Sequence, residues 1–317
     1  MDYLPASYVL PLEYHIFVEE FKKYPPDTIW IMKPVSGAQG RGIFLFKKLK
    51  EIQEWKKLFY ATLCYEAQKG GKSDADTQPY VVQSYIHKPY LIGGKKFDVR
   101  LYVLVTSFRP LNAWVHREGF SRFSHSQYSL ESVEDAYVHL TNVAISKSAS
   151  DYDPEKGLKW SLDKLFRYIE ARHGAETVDQ LIENIGNVII MSLKSVQGII
   201  IQDSHCFELY GYDILIDEDL KPWLLEVNAS PSLTPSSQED FELKFRVLNH
   251  LLDVLDMEKT RTDQDLTVGG FDCLIKNNEL VYRPKSEVLE KICPQFITSS
   301  LNIRLGSYVA PMDVPNM

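Results

Sequence analysis

The sequence has few features that would tie it to a disulfide framework, a membrane or a secretory route. Its 317 residues include only four cysteines, which are far apart and form no C-x-x-C pair: Cys64, Cys206, Cys273 and Cys293. Structural zinc is therefore not expected, and reduced thiols in a cytosolic compartment are the simplest interpretation. No apolar run approaches the ~20 residues that cross a bilayer. The N-terminus shows neither the basic nor the apolar segment of a secretory signal.

Positive charge is also in short supply. The chain has 35 Lys and Arg residues against 43 Asp and Glu, a net charge of -8. This balance argues against a general nucleic-acid binder, and any acidic substrate must be held by a local basic patch. The remaining composition, 44% apolar and 25% charged, is that of a globular protein. It supplies a core for one large or two modest domains.

Hydrophobic periodicity predicts a chain in which strands outnumber long helices. Helices are predicted at about residues 13–23, 51–60, 161–174, 178–199 and 238–255. Strands are predicted at about residues 28–33, 42–46, 80–86, 96–106, 111–116, 207–217 and 222–227. This pattern favours an α+β fold with antiparallel sheet over a doubly wound parallel one. Residues 68–78 are predicted to form a mobile loop, and residues 309–317 a loose tail.

A glycine-rich turn follows the first long predicted strand. The strand ends in Lys33, and the turn contains Gln39-Gly40-Arg41-Gly42. Glycines let the backbone approach an anion closely, and a lysine adds a point charge to the same phosphates. The pattern is not a Walker A loop, since no Gly-Lys-Ser/Thr opens a helix. A surface hairpin with a solvated lysine remains the alternative.

Charged residues also interrupt an apolar strand. Lys96, Asp98 and Arg100 alternate along it and therefore share one face. Charges on an apolar strand are costly in a core unless they line a cleft. An edge strand with a solvated face is the alternative.

A second charged pattern lies on a predicted hairpin. If the turn is 218–221, Asp217 pairs with Pro222, and counting back places Asp213 opposite Glu226. Asn228 lies on the same face as Glu226. Two facing carboxylates repel, and a hard divalent cation would remove that repulsion. Oxygen ligands suit magnesium, so the hairpin predicts a magnesium site. Acids exposed at a sheet edge are the alternative.

Two further groups are weaker on their own. Thr141 and Asn142, with Lys147 nearby, carry polar side chains that reach phosphate or ribose in some proteins, but a turn or helix cap explains them as well. Arg117 and Arg122 add local positive charge, and taken alone they are expected to be surface arginines.

Taken together, these motifs resemble the tubulin-tyrosine-ligase-like family, and its polyglutamylase members in particular. The motifs occur in the family's order over about residues 8–257: Lys33-Pro34, Gln39-Gly40-Arg41-Gly42, Gln83-Ser84-Tyr85-Ile86, Lys96-Phe97-Asp98-Val99-Arg100, His139-Leu140-Thr141-Asn142, Tyr212-Asp213 and Glu226-Val227-Asn228.

The resemblance implies an ATP-grasp fold in which two subdomains close on ATP. The central subdomain is expected at residues 1–107 and the C-terminal subdomain, with the metal hairpin, at 108–257. Residues 258–317 are expected to be a partly disordered extension. The resemblance leads us to expect that this chain starts just before the central subdomain and lacks the family's N-terminal domain.

The resemblance also implies roles for individual residues. Phosphates would be held by Lys33 and by Gln39, Gly40, Arg41 and Gly42. The adenine hinge would be Gln83, Ser84, Tyr85 and Ile86, and the nucleotide site would be completed by Lys96, Asp98, Thr141 and Asn142. Two magnesium ions would bind Asp213, Glu226 and Asn228. Catalysis would depend on Lys33, Arg100 and Arg122, and the substrate glutamate would bind Arg122 and Lys147.

The activity implied is an ATP-dependent ligation of free L-glutamate to glutamate side chains of tubulin C-terminal tails, through an acyl phosphate. The cytoskeleton of the cytoplasm and the axoneme or basal body of cilia and flagella would be its location, without nucleic acid or membrane insertion. Two alternatives stay open: an inactive microtubule-associated scaffold that lacks the N-terminal domain, and a ligase of the same family that adds glycine or tyrosine.

Overall fold

The computed structural model describes residues 3–37, 39–53, 55, 57, 79–150, 158–203, 205–260, 262 and 265–281. The chain forms two compact units. Unit 1 comprises Met1–Phe97 and Phe123–Leu158, and unit 2 comprises Asp98–Arg122 and Lys159–Met317. The predicted mobile loop and the predicted tail lie outside the described residues. No helix in the part of the chain that is described has the length and apolarity needed to cross a membrane.

Unit 1 contains a four-stranded antiparallel sheet in the order β1-β4-β2-β3. Its strands are β1 (Ser7–Leu10), β2 (Trp30–Pro34), β3 (Phe44–Phe46) and β4 (Tyr80–Ser84). Helix α1 (Tyr14–Phe21) covers one face, where Phe17 packs edge-on against Trp30 with ring centroids 5.1 Å apart. Alternation along β2 explains this face, because Trp30 and Met32 point to the same side.

The other face of this sheet carries a second, smaller apolar cluster. It is built from Ile29, Ile31, Leu45, Tyr85 and Leu140. Two short helices lie beside it, α2 (Ala136–His139) and α3 (Val143–Ser146). Strand β5 (Leu91–Ile92) forms a hairpin with the first residues of β6 (Lys95–Phe108). The sheet face with Ile29 and Ile31 is therefore also the face from which Lys33 projects.

Unit 2 is organised around a mainly antiparallel sheet in the order β11-β10-β6-β7-β13-β12. The strands after β6 are β7 (Leu111–His116), β8 (Phe120–Phe123), β9 (Lys159–Ser161), β10 (Glu208–Ile216), β11 (Pro222–Asn228), β12 (Thr267–Val268), β13 (Phe271–Lys276) and β14 (Glu279–Leu280). Strand β14 pairs antiparallel with β13, and β8 pairs with both β6 and β9.

Three long helices complete unit 2: α4 (Leu162–His173), α5 (Ala175–Val196) and α6 (Gln238–Leu255). Ser161 caps α4 by accepting the Lys164 amide at 3.2 Å, as the sequence predicts. The inner face of α6 packs against the sheet through Leu243, Val247 and Leu251. Apolar residues at this spacing form one stripe on a helix, which is why α6 docks along its length.

The predicted α+β class with antiparallel sheet is confirmed, and the bounds of β7 and α6 agree with the predicted ranges to the residue. Residues 49–53 are helical within the range predicted around 51–60. The compact units do not divide at residue 107, because residues 98–107 group with unit 2 and residues 123–158 return to unit 1. Part of the predicted extension, residues 267–280, forms strands of the unit 2 sheet.

Candidate active site

The lysine at the end of β2 is held by the neighbouring strand. Lys33 Nζ donates to Gln83 Oε1 at 2.8 Å, and Gln83 Nε2 donates to Ser7 Oγ at 2.9 Å. Gln83 lies opposite Ile31 in the β2–β4 ladder, so it shares the sheet face from which Lys33 projects. The chain of hydrogen bonds fixes a half-buried ammonium group at one edge of the smaller apolar cluster.

A buried lysine lies on the same side of unit 1. Lys96 Nζ donates to the His139 carbonyl at 2.8 Å and to Tyr85 Oη at 3.1 Å. Tyr85 Oη is also 3.0 Å from His139 Nδ1, and His139 Nε2 is 2.8 Å from the Ser132 carbonyl. Burial raises the pKa of the Tyr85 hydroxyl and lowers the pKa of His139. Lys96 is therefore held by hydrogen bonds to the His139 carbonyl and the Tyr85 hydroxyl.

The glycine-rich turn adopts a conformation that side chains rarely tolerate. Gln39, Gly40 and Gly42 have φ angles of 63°, 79° and 74°. A Cβ on Gly40 would stand 2.6 Å from Ile145 Cδ1 and 3.1 Å from Asn142 Oδ1. The predicted glycine turn and the predicted Thr141-Asn142 segment are therefore in direct contact, which sequence spacing did not indicate. A turn with successive positive φ angles can present backbone N–H groups to an anion.

The remaining predicted residues of unit 1 lie around these groups with different exposures. Thr141 is buried, while Ser84, Ile86 and Asn142 are half-buried. Arg41 is exposed, and its guanidinium lies 3.4 Å from Gln39 Oε1. Lys147 is exposed at the C-terminal end of α3. Unit 1 therefore brings Lys33 and Gln83 together, and separately Lys96 with Tyr85 and Gly40 with Asn142.

The hairpin of β10 and β11 places Asp213 opposite Glu226, as predicted, but the register of the strands next to the turn differs from the predicted one. The predicted pairing of Asp217 with Pro222 is wrong, because Pro222 pairs with Ile216. A β-bulge between Asp213 and Ile214 absorbs the one-residue difference. Such a bulge adds one unpaired residue to one strand and shifts the register beyond it.

The turn itself is organised by the side chain of Asp217. Its Oδ1 accepts the backbone amides of Asp219 at 3.0 Å and Lys221 at 2.9 Å, and its Oδ2 accepts Trp223 Nε1 at 2.7 Å. A carboxylate that binds the turn backbone is a familiar way of stabilising a sharp reversal. This explains why Asp217 belongs to the turn and not to the ladder.

Asp213 is central in a row of charged residues that crosses three strands. It lies directly opposite Arg100 of β6 on one side and Glu226 of β11 on the other. Arg100 binds it bidentately, with Nε 2.5 Å from Oδ1 and Nη2 2.9 Å from Oδ2. Asn228 Nδ2 is 3.2 Å from Glu226 Oε1 and 3.5 Å from Asp213 Oδ2. The three predicted ligand residues therefore lie together, with the amide nitrogen of Asn228 donating to both carboxylates.

Arg122 links this row to a second buried carboxylate. Its guanidinium donates to both oxygens of Asp98, with Nε 3.0 Å from Oδ1, and its Nη2 lies 2.8 Å from Asp213 Oδ2. Asp98, Arg122, Asp213 and Arg100 therefore alternate in sign. Burial alone would raise the pKa of the Asp213 carboxyl, but the charges and hydrogen bonds of Arg122 and Arg100 hold that pKa well below its usual range.

The donor chemistry at the end of the hairpin suits a hard cation. Glu226 is exposed and Asn228 half-buried, while Asp213 is 1% exposed. The two arginines donate once to Oδ1 and twice to Oδ2 of Asp213, and a carboxylate has about four lone-pair directions in all. The two neighbouring carboxylates suit magnesium, whereas Asn228 presents its amide nitrogen to both of them. Among the residues described, no three His, Cys, Asp or Glu side chains form a metal cluster.

The expectation that Arg117 and Arg122 are surface arginines is wrong for both. Arg117 is 5% exposed and binds Asp272 bidentately, with Nε 2.8 Å from Oδ2. Arg122 is buried in the network with Asp98 and Asp213. Each arginine pairs with an aspartate far away in sequence, and single-sequence patterns carry no signal of such a partner.

Comparison with known proteins identifies close relatives. A model described as the tubulin-tyrosine ligase family matches residues 1–264. The probable tubulin polyglutamylase ttll-9 of Caenorhabditis elegans is 63% identical over 314 residues, 99% of this chain and 72% of that protein. The probable tubulin polyglutamylase TTLL9 of Bos taurus is 52% identical over 292 residues, 86% of this chain and 63% of that protein. The probable alpha-tubulin polyglutamylase Ttll1 of Tetrahymena thermophila is 45% identical over 285 residues, 86% of this chain and 67% of that protein.

Proposed function

Because the chain belongs to the tubulin-tyrosine ligase family, we propose that it is an ATP-dependent ligase that adds glutamate to glutamate side chains of tubulin C-terminal tails. The chain spans 63% to 72% of the length of the nematode and bovine relatives. Those relatives carry the name tubulin polyglutamylase, which favours glutamate over glycine or tyrosine as the amino acid added.

Unit 1 would bind the nucleotide in this proposal. Lys33 and the turn around Gln39–Gly42 present an ammonium group and a backbone with positive φ angles, which suit phosphate oxygens. The hinge for adenine would be Gln83–Ile86, and Lys96 with Thr141 and Asn142 would complete the site. The ATP-grasp fold, with central and C-terminal subdomains, is part of the same proposal.

Unit 2 would hold the metal and the reacting carboxylate. Magnesium bound to Asp213, Glu226 and Asn228 would neutralise charge on the phosphates during transfer. Arg100 and Arg122 keep Asp213 ionised, because their charges lower the pKa of its carboxyl. Arg122 would bind a carboxylate of the incoming glutamate, whereas the exposed Lys147, predicted for the same role, belongs to unit 1. Asp98, predicted as a nucleotide contact, is better supported as the partner that orients Arg122.

The chemistry needs no protein nucleophile. A side-chain carboxylate oxygen of the tubulin tail forms a bond to the γ-phosphorus of ATP, and the bond from that phosphorus to ADP breaks. The amine of free glutamate then bonds to the acyl carbon, phosphate leaves with the former carboxylate oxygen, and the amine proton passes to solvent. Orientation and fixed positive charge supply the acceleration in such a scheme.

The observation that carries the proposal is the row Arg100–Asp213–Glu226 across three neighbouring strands. It places a buried carboxylate that two arginines bind next to an exposed one, with the side chain of Asn228 beside both. A scaffold that only binds microtubules has no need of this arrangement. Cytoskeletal location, and the axoneme or basal body of cilia and flagella, belongs to the same proposal because tubulin is the substrate.

An amine competition assay tests the proposal. The chain is incubated with tubulin, ATP, magnesium and equimolar labelled glutamate, glycine and tyrosine, and mass spectrometry reads the tails. We expect glutamate to be added at the expense of ATP. Addition of glycine or tyrosine instead would overturn the choice of amino acid. Tubulin binding without any addition would favour the scaffold.

A further inference from the structure

Helix α6 exposes a continuous apolar stripe on the face away from its unit. Phe241, Phe245, Leu248 and Leu252 are 49%, 55%, 38% and 58% exposed. Their spacing of four, three and four residues places them along one line of the helix. The rings of Phe241 and Phe245 stack with centroids 6.1 Å apart. Single exposed apolar residues are ordinary, but an ordered row of large ones marks an interaction surface.

This stripe is not required by the core of unit 2. The opposite face of α6 already buries Leu243, Val247 and Leu251 against the sheet. Packing of this buried face against the sheet is enough to hold the 18-residue helix in place. Within the described part of the unit, Phe241 and Phe245 lie outside this buried face and keep about half of their surface exposed.

The flank of the stripe is acidic. Glu242 and Asp253 follow the stripe residues on the same side of the helix, and both are exposed. Glu239 extends this charge at the first turn, where it and Glu242 border a cleft of about 390 Å³ in unit 2. The lysines that line this cleft are Lys159, which pairs with Asp240 at 3.3 Å, and Lys164. The one arginine on that side, Arg246, is neutralised by Glu118 through hydrogen bonds of 2.9 and 3.0 Å.

We propose that the outer face of α6 is a docking surface for an amphipathic helix of a partner protein, one whose apolar face is flanked by Lys and Arg. An amphipathic helix that binds a hydrophobic surface contacts it through apolar residues at helical spacing. The acidic flank selects a basic partner, because charge complementarity speeds association and suppresses wrong partners.

Charge also decides against other occupants of this surface. Two copies of α6 packed antiparallel would place their acidic flanks on the same side, where like charges repel. The acidic tail of tubulin and an anionic membrane surface are disfavoured for the same reason. A basic helix satisfies both the stripe and its flank.

Peptide binding to the full chain tests the proposal. The probe is a fluorescent 18-residue model helix of Leu and Lys with its leucines on one face, matched to the length of α6. It is compared with a scrambled peptide of the same composition and with a Leu/Glu version. We expect the amphipathic Leu/Lys peptide to bind at least about tenfold more tightly than either, and its binding to weaken as salt rises.

Two double variants assign the binding to α6. Phe241→Ser with Phe245→Ser should weaken the Leu/Lys peptide about tenfold or more, whereas Ile199→Ser with Ile201→Ser, at apolar residues that are 81% and 93% exposed in unit 2, should leave it unchanged. Glu242→Lys with Asp253→Lys should reverse the preference toward the Leu/Glu peptide. Circular dichroism melting checks that each variant is folded.

Two outcomes would overturn the proposal. One is equal binding of the Leu/Lys peptide to the parent and to the Phe241/Phe245 variant, or equal binding of the scrambled peptide. The other is a dimer of the parent chain in sedimentation that the Phe241/Phe245 variant loses, which would assign the surface to a second copy. Neither outcome bears on ligase activity, which is measured separately.

Discussion

Asp213 shows how a single residue combines two incompatible requirements. It is almost fully buried, which disfavours its charge, yet two arginines keep it ionised. Its neighbour Glu226 is exposed and lies directly across the strand pair. The sequence predicted both acids and their pairing. It did not predict Arg100 and Arg122 as their partners, because such pairs join strands that are distant along the chain.

Replacing Glu226 with Gln should abolish most of the proposed ligation. The change keeps size and hydrogen bonding but removes the charge that binds magnesium, so we expect a loss of about 10²-fold or more. Rates of labelled glutamate incorporation measure it. Asp219→Asn, in the turn of the same hairpin, is the matched control and should change the rate by less than about twofold. A Glu226→Gln chain as active as its parent would refute the metal assignment.

The buried ion pairs should matter far more for stability than exposed ones of the same chemistry. Asp98→Asn leaves Arg122 short of a carboxylate in a buried position, so we expect a loss of about 3 kcal/mol. The control is Asp163→Asn, whose partner Arg167 is 77% exposed along its side chain. It should cost about 1 kcal/mol or less. Urea unfolding measures both, and equal costs would contradict the structural role given to Asp98.

At the scale of elements, the β10–β11 hairpin shows which features of a strand pair the sequence predicts and which it does not. Counting from the turn placed Asp213 opposite Glu226, but it did so with the wrong turn register and without the bulge. The two errors cancel. The turn takes one more residue from β10 than predicted, and the bulge adds one residue to β11, so that Asp213 again lies opposite Glu226. Alternation and burial predict a hairpin, whereas the type of turn and a bulge depend on side-chain hydrogen bonds such as those of Asp217.

The glycine-rich turn offers a matched pair of substitutions. Gly40→Ala adds a methyl group 2.6 Å from Ile145 Cδ1 at a φ of 79°, so it should displace the turn from α3. We expect nucleotide affinity to fall about tenfold or more, measured by calorimetry with an ATP analogue. Gly93→Ala is also at a positive φ, but its Cβ meets nothing within 4 Å. An equal loss in both variants would show that backbone strain, and not the contact, is responsible.

At the scale of the whole chain, long periodic elements were predictable and short or distant ones were not. The α+β class and the long helices follow from hydrophobic periodicity. The strands at residues 267–280 were missed because they are two to six residues long, and because β13 pairs with β7, about 160 positions away in sequence. The sequence pattern also does not show that the chain leaves unit 1 after Phe97 and returns at Phe123. Contacts between distant segments decide such divisions, and a linear pattern does not contain them.

Stability of the chain should fall as the pH is lowered through the range of histidine. His116 Nε2 lies 3.0 Å from His250 Nδ1, and Arg117 and Arg246 face the pair. Burial lowers the pKa of His116 to about 3. Below about pH 6.5, His116 binds a proton in the unfolded chain but not in the folded chain. The free energy of unfolding therefore drops by up to about 1.4 kcal/mol per pH unit.

Urea unfolding between about pH 6.5 and pH 4.5 measures this slope. His116→Gln should make the slope shallower whatever its effect on stability at neutral pH. The His205→Gln variant, which replaces an exposed imidazole in the same unit, should show the same slope as the parent chain. A parental slope in His116→Gln would contradict the account of the buried pair.

The most direct test of the proposed ligase follows oxygen out of the acceptor carboxylate. A tubulin tail peptide with oxygen-18 in its glutamate side chains is incubated with the chain, ATP, magnesium and free glutamate, and the released phosphate is analysed by mass spectrometry. Attack of the carboxylate on the γ-phosphorus predicts one labelled oxygen in phosphate for each glutamate added. The Glu226→Gln variant should form neither labelled phosphate nor glutamylated peptide. Glutamate addition that releases only unlabelled phosphate, or no addition at all, would contradict the proposed reaction.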